Sequence, residues 1–133
     1  SERIRRAWRL SRNPQDKKSV FTLCYLVKKG GYLFPDMREE TLRSFVHLAQ
    51  SVPSLLLVRG EFGVSTNLIA VKPNHPLLVA ILETVVQSLL NRTRLPDLYV
   101  TGAVCWAKVL IKYNVEIVKR GKEPDFLIVS GIS

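Results

Sequence analysis

The sequence predicts an α/β fold in which a mixed sheet carries flanking helices, and three observations favour it. The chain has 133 residues, of which 47% are hydrophobic and 23% charged, the balance of one globular domain with a sizeable core. Residues 77–90 repeat apolar side chains with the 3.6-residue period of a buried helix. Residues 54–59 and 64–71 are apolar runs around a short loop with two glycines, which predicts a β-hairpin.

The other elements follow from capping residues and periodicity. Asn13 is placed to cap a helix with Pro14 at its first position, and the two lysines at its end suit the negative pole. Asn74 or His75 is placed to cap a helix that starts at Pro76. Thr101 is expected to cap the last helix. The prediction is helices at 14–29, 39–50, 76–90 and 101–113, a polar loop at 91–97, and strands at 32–34, 54–59, 64–71, 115–119 and 126–129.

The first 13 residues are predicted to form a basic amphipathic helix that precedes a single α/β domain at 14–133. Residues 1–29 hold nine of the 20 Lys and Arg residues against two acidic residues. Such a helix can lie on an anionic membrane, dock to a protein partner or contact nucleic acid. Nucleic acid is the weaker alternative, because charge beyond residue 29 is nearly balanced. The helix can equally pack Trp8 on the body and leave its arginines in solvent.

Composition excludes several classes of protein. No apolar run reaches the ~20 residues that span a bilayer, and residues 1–13 lack the apolar stretch of a secretion signal. Cys24 and Cys105 are too few for a disulfide scaffold and form no metal-ligand pattern, so they are interpreted as buried free thiols. We therefore expect a cytoplasmic protein, with peripheral attachment to a membrane as an option.

Residues 28–36 carry the candidate site. Two glycines end the first long helix, a short strand follows, and Asp36 comes after the strand. Open α/β sheets bind ligands at the ends of their strands, and a carboxylate there can hold a hard cation that bridges to a diphosphate. The same residues are also consistent with a helix C-cap at a glycine, followed by a turn at Pro35.

Three blocks of sequence occur in an order that is informative. Residues 19–37 run through a helix into Gly-Gly-Tyr-Leu-Phe-Pro-Asp-Met, residues 62–76 contain Asn67 and end in His-Pro, and residues 100–104 contain Thr-Gly. In this order they resemble the nucleotide-sugar glycosyltransferases that carry a DXD motif, the group of the capsular polysaccharide transferases and the initiating α-mannosyltransferases. The resemblance spans roughly the middle three-quarters of the chain.

The resemblance implies the C-terminal part of a GT-A-type glycosyltransferase, which transfers a sugar from a nucleotide-sugar donor with the help of Mn²⁺ or Mg²⁺. It implies that Asp36 binds the metal. It also implies substrate contacts from the glycine segment, the Asn-containing strand and the Thr-Gly turn, namely from Gly30, Gly31, Tyr32, Asn67, Thr101 and Gly102.

Several positions depart from the family pattern. Ser19 and Thr22 stand where the family has the Asp and the Arg of its helix. Pro35 and Met37 stand in place of the two Asp residues of the DXD motif, and Ala103 in place of the turn proline. Pro35 has no side-chain ligand, and the thioether of Met37 is too soft for a hard cation. Asp36 reaches the metal only if the strand slips by one residue. Catalysis therefore stands as one hypothesis.

Two other hypotheses stay open. The chain can be a non-catalytic, glycosyltransferase-derived binding or assembly module, or a basic protein that binds nucleic acid or a membrane surface. The sequence is expected to be either a shortened relative of the family or a fragment of a longer protein. A homo-oligomer is compatible with all three hypotheses.

Overall fold

The fold contains six helices and four strands in a computed structural model that describes residues 1–52 and 54–130. Within these residues, no helix has both the length and the hydrophobicity that crossing a bilayer requires. The elements in chain order are α1 (Glu2–Arg9), α2 (Pro14–Lys29), β1 (Gly31–Leu33), α3 (Glu39–Gln50), β2 (Leu55–Gly60), β3 (Gly63–Val71), α4 (Pro76–Leu90), α5 (Asp97–Val100), α6 (Ala103–Lys119) and β4 (Leu127–Val129).

The four strands form one mixed sheet in the order β1-β3-β2-β4. β2 and β3 are the predicted antiparallel hairpin, with Leu57 opposite Ile69, and β1 adds antiparallel to β3. β4 pairs parallel with β2, with Leu57 opposite Ile128. The predicted α/β class, a small domain with a mixed sheet and flanking helices, is confirmed.

The sheet builds an apolar layer on each face, because successive side chains of a strand point in opposite directions. Leu57 and Ile69 belong to the larger cluster, together with buried side chains of α2, α4 and α6. Leu56 and Ala70 pack on the other face with Phe45 of α3. The helix α4 lies at the centre of the larger layer, where it contacts α1, α2 and α6.

His75, one of the two residues predicted to cap α4, is the residue that caps its N-terminus. Its Nδ1 accepts a hydrogen bond from the backbone N–H of Leu77 at 3.1 Å, so the ring proton lies on Nε2, which donates to the Asp125 carbonyl at 3.0 Å. The Asp125 carboxylate also accepts from the Tyr113 hydroxyl at 2.9 Å. Burial and this carboxylate raise the pKa of Tyr113. His75 is therefore a structural residue that joins the segment before β4 to α4.

The largest error of the sequence prediction lies in α6. Residues 115–119 were predicted to form a strand, but α6 continues through them to Lys119. The reason is tertiary packing: Val109, Tyr113 and Ile117 follow one another at four-residue spacing and face the core, so the helical repeat outweighs the β-branched composition.

The start of α6 also differs from the prediction. Thr101 does not cap α6, because a short helix, α5, occupies residues 97–100 and Thr101 ends it. Gly102 is the residue that precedes α6, and it provides no side-chain hydrogen bond to the helix. The first strand is also displaced by one residue, since it ends at Leu33 rather than at Phe34. The last predicted strand is present as β4.

The N-terminal basic segment is helical from Glu2 to Arg9. Ala7 is fully buried and Ile4 packs against the larger cluster, whereas Trp8 stays 44% exposed. Lys17 lies over the Trp8 ring, with its ammonium nitrogen 3.7 Å from the ring centroid. The proposed division into residues 1–13 and a domain at 14–133 stays a prediction, and residues 131–133 lie outside the described residues.

Gly30 is required by a close approach of two backbone segments. It ends α2 with φ at +68°, and a Cβ atom at this position would lie 2.7 Å from the Val71 carbonyl oxygen and 2.8 Å from the Pro73 ring. Residues other than glycine rarely adopt this φ, and at this position there is no space for a side chain. Gly30 therefore allows α2 to turn directly into β1 beside the end of β3.

We predict that Gly30→Ala lowers the free energy of unfolding by well over 1 kcal/mol, because its φ of +68° and ψ of −165° form a conformation nearly confined to glycine, and the clash with Val71 and Pro73 adds to that strain. Gly121→Ala is the comparison at an open site, since its φ of +65° is also positive and nothing lies within 4 Å of its Cβ position. Urea unfolding of both variants measures the difference. Equal losses would show that the close contact has no energetic weight.

Candidate functional site

A polar cleft lies where α2, β3 and the α5–α6 turn meet. Its first cavity has a volume of about 220 Å³, and its lining includes the polar side chains of Gln15, Lys18, Ser19, Thr22, Asn67 and Thr101. A second cavity of about 450 Å³ shares Gln15, Asn67 and Thr101 with the first and extends to Gly102. The two cavities therefore adjoin, and we call them together the α2–β3 cleft.

The cleft brings together several residues that the sequence pattern singled out. Asn67 and Thr101 line both cavities, and Gly102 lines the second. Ser19, Thr22 and Pro35, which occupy the family's charged positions, line the first cavity beside them. Two segments of the predicted site, at Asn67 and at Thr101–Gly102, thus meet in space beside three positions at which the sequence departs from the family pattern.

The glycine segment does not belong to the cleft. Gly30 is buried against the end of β3, as described above. Gly31 and Tyr32 line a different cavity of about 410 Å³, next to the end of α3. The Tyr32 ring packs edge-on against Phe45 of α3, with 6.3 Å between ring centroids. These three residues therefore do not lie together with Asn67 and Thr101.

Asp36 also lies outside the cleft. It follows β1 in an irregular segment, is exposed to solvent, and lines neither cavity of the cleft. Its exposed position, three residues beyond the end of an antiparallel edge strand, differs from the sheet-end crevice expected from the sequence. The side chain faces no ligand-sized space in the cleft.

The described residues of the cleft offer few ligands for a bound Mn²⁺ or Mg²⁺. Such hard cations take oxygen ligands, and Mg²⁺ is typically held by one or two carboxylates together with substrate phosphates. Among residues 1–52 and 54–130, no group of three or more His, Cys, Asp or Glu side chains could hold a metal ion. The lining of the first cavity contains no carboxylate. The second cavity is lined by two, Glu61 and Asp97, of which Asp97 is held by Arg12.

Trp106 is a cleft residue that the sequence analysis missed. Its ring lines the first cavity and is 3% exposed, and its Nε1–H has no hydrogen-bond partner among the described atoms. A buried donor without an acceptor costs about 1–3 kcal/mol, so such groups in native proteins call for an explanation. The Nε1 atom itself is closed to solvent, so an acceptor on a bound ligand would satisfy it only after neighbouring side chains move.

A buried ion pair fixes one wall of the cleft. Asp16, on the first turn of α2, is fully buried, and its carboxylate accepts hydrogen bonds from Arg12 Nε at 2.8 Å and Arg12 backbone N–H at 3.1 Å. The Thr101 hydroxyl donates to the same carboxylate at 3.4 Å. Arg12 also donates to the Asp97 carboxylate at 2.9 Å and to the Leu95 carbonyl. The start of α2 is thereby joined to the α5–α6 turn.

The charge of Asp16 is stabilised by this arrangement. Burial by itself raises the pKa of a carboxyl group, but the hydrogen bonds and positive charge of Arg12 outweigh burial and hold the pKa of Asp16 below its ordinary value. The same contacts raise the pKa of Arg12. Both side chains are therefore charged in the folded protein at neutral pH.

Comparison with known proteins gives a structural match and no sequence match. No family model matches the chain, and no curated protein matches it. The solved structure of the PaToxG glycosyltransferase superposes with a TM-score of 0.53, at 14% identity, over 80% of this chain. The chain spans 39% of the length of PaToxG.

The domain has a glycosyltransferase-like fold. At 14% identity the match concerns the fold alone, so membership of the DXD family, the donor and the chemistry are matters for proposal. The α2–β3 cleft, rather than the surroundings of Asp36, is the concavity in which the predicted residues Asn67, Thr101 and Gly102 meet.

We predict that Arg12→Met lowers the free energy of unfolding by about 3 kcal/mol, because it leaves the buried Asp16 carboxylate without a compensating charge. Urea unfolding measures this loss. Arg43→Met, which removes one exposed partner of the pair with Glu39, is the control and should change stability by less than about 1 kcal/mol.

The same pair predicts a pH dependence. Since the pKa of Asp16 is lower in the folded than in the unfolded state, its contribution is complete above the unfolded value of about 3.9 and is lost as pH falls through the folded value. Unfolding free energies of the wild type and Asp16→Asn, measured from pH 7 downwards, should therefore converge in acid. A constant difference between the two proteins would show that the ion pair does not titrate as proposed.

Proposed function

We propose that the chain is a glycosyltransferase-derived module that binds a nucleotide sugar in the α2–β3 cleft without a divalent cation and without transferring the sugar. The observation that carries this proposal is the lining of the first cavity. It combines amide and hydroxyl groups, one lysine and an unpaired buried indole N–H, and it contains no carboxylate.

The neutral polar groups suit a sugar ring. Sugar hydroxyls both donate and accept hydrogen bonds, and Ser19, Thr22 and Asn67 offer both functions within one cavity. Trp106 lines the same cavity, and its buried Nε1–H would become a further donor if its neighbours move when the ligand binds. The cavities of about 220 and 450 Å³ together fall in the range of small-molecule sites.

The phosphates of the donor have a separate source of positive charge. Lys18 lines the first cavity, and its ammonium group can neutralise a phosphate directly. The second cavity reaches Gly102 and Ala103, where the 17-residue helix α6 begins without a side-chain cap. Its first backbone N–H groups and its dipole favour an anion there.

Transfer of the sugar requires more than binding. In metal-dependent transfer a cation neutralises the charge that develops on the diphosphate leaving group. Asp36 lies outside the cleft, the first cavity has no carboxylate, and Arg12 holds one of the two carboxylates of the second. We therefore assign no cation to the proposed site. Lys18 and the start of α6 would then stabilise the bound diphosphate as a ligand.

We predict that a nucleotide sugar stabilises the protein to the same extent with EDTA as with Mn²⁺. Thermal unfolding with UDP-glucose, UDP-N-acetylglucosamine and GDP-mannose tests this, and a ligand at 100 times its Kd should add about 2.7 kcal/mol. Asn67→Ala should weaken binding about threefold to tenfold through the lost hydrogen bonds. Asp36→Ala is the control and should bind as the wild type does.

Two results would contradict the proposal. One is a stabilisation that requires Mn²⁺ and disappears in Asp36→Ala. This result would support the cation site at Asp36 that the sequence predicts. The other is the absence of stabilisation by every nucleotide sugar tested. Release of free sugar or UDP in the presence of the protein would contradict the non-catalytic part alone.

A second prediction concerns Trp106. Trp106→Phe keeps an aromatic ring and removes the unpaired donor, so lost packing and relieved desolvation should nearly cancel, and the unfolding free energy should change by less than about 1 kcal/mol. Affinity for the nucleotide sugar should nevertheless fall, about tenfold for a well-formed hydrogen bond. Unchanged affinity in a stable Trp106→Phe protein would remove the indole N–H from the site.

A further inference from the structure

A second surface of the domain carries three exposed aromatic side chains. On the outer side of α1 and α2, Trp8 is 44% exposed, Phe21 67% and Tyr25 55%. The Phe21 and Tyr25 rings are four residues apart on α2 and stack on each other, with 6.5 Å between centroids. Large aromatic side chains that cluster in solvent usually mark an interaction site.

Cations surround these aromatic side chains. Lys17, Phe21, Tyr25 and Lys28 follow one another at the spacing of a single face of α2. The Lys17 ammonium also lies over the Trp8 ring. The face therefore has an apolar centre with a lysine at each end.

The helix α1 continues this surface. An apolar groove of about 590 Å³ lies between the two helices, with Ile4 and Val20 among its lining and Trp8 and Phe21 at its sides. Arg5 and Arg9 line its rim together with one carboxylate, Glu2, to which Arg9 is paired at 2.8 Å. Positive charge thus predominates around the groove.

We propose that this α1–α2 face, defined by Trp8, Phe21, Tyr25 and the surrounding Arg5, Arg9, Lys17 and Lys28, binds the surface of a membrane that contains anionic phospholipids. Charge complementarity is the argument for this occupant. Aromatic side chains favour the boundary between head groups and acyl chains, and lysine and arginine side chains extend from that depth to the phosphates.

A protein or nucleic-acid partner fits the face less well. Nucleic-acid binding through aromatic residues needs ring faces open to bases, but Phe21 and Tyr25 partly stack on each other and Lys17 lies over Trp8, which reduces the ring area open to bases. An acidic protein would match the charges, yet Tyr25 and Lys28 do not line the groove, so a broad anionic surface would cover more of this face than a segment seated in the groove.

Membrane binding would leave the α2–β3 cleft accessible. Ser19, which lines the cleft, lies about 160° around the α2 axis from Phe21. Lys18 and Thr22, which also line the cleft, lie about 60° and about 100° from Phe21, so the two surfaces occupy adjoining sides of the same helix. The membrane proposal does not depend on the nucleotide-sugar proposal, and failure of one leaves the other intact.

Vesicle co-sedimentation tests the proposal, with phosphatidylcholine vesicles and with vesicles that also contain phosphatidylserine. We expect binding to the anionic vesicles that weakens with salt, and a blue shift of tryptophan emission as Trp8 leaves water. The double variant Phe21→Ser/Tyr25→Ser should lower the partition coefficient by about tenfold or more. Arg5→Gln/Lys28→Gln should lower it by about fivefold for each charge removed.

The matched control is Ile111→Ser/Val118→Ser on α6. These two side chains are each 65% exposed, and α6 also carries lysines, so the control removes a similar apolar area from another basic helix. We expect it to bind vesicles as the wild type does. Thermal unfolding should show Phe21→Ser/Tyr25→Ser and Ile111→Ser/Val118→Ser to be folded, because all four positions are exposed.

Three results would overturn the proposal. The first is no binding of the wild type to anionic vesicles at low salt. The second is equal vesicle binding by the wild type and Phe21→Ser/Tyr25→Ser. The third is binding to RNA or to an acidic protein that depends on Phe21 and Tyr25 while vesicles are not bound.

Discussion

The buried carboxylate of Asp16 is the constraint on which the arrangement of the helices depends. A charge without solvent contact must be compensated, and Arg12, from the segment between α1 and α2, provides the compensation. Through Thr101 and Asp97 the same network reaches the α5–α6 turn. One ion pair therefore sets the position of α1 against α2, which forms the proposed membrane face, and of α2 against α6, which forms the cleft.

Most of the fold could be predicted from the sequence because its signals were local. The cap at Asn13, the apolar repeat of α4 and the glycine-bounded hairpin each depend on residues close in the chain. The end of α6 could not be predicted from the sequence, since residues 115–119 are rich in β-branched side chains. Only the packing of Ile117 in the core stabilises the helix there.

The cleft was predicted in part. Asn67 and Thr101 were identified from the order of three sequence blocks, and tertiary structure brings them together with Ser19 and Thr22. The placement of Asp36 could not be derived, because its direction depends on where an edge strand ends. The buried N–H of Trp106 could not be predicted either, since only the packed structure shows that no acceptor among the described residues reaches it.

The most direct measurement of the central claim uses the two tryptophans as internal reporters. Trp106 lies in the cleft and Trp8 on the α1–α2 face, so an isotope-labelled protein gives one indole N–H signal from each surface. On titration with a nucleotide sugar in EDTA, the account predicts that the Trp106 signal moves and the Trp8 signal does not. A Trp106 signal that stays in place at saturating ligand, or that moves only after Mn²⁺ is added, would contradict it.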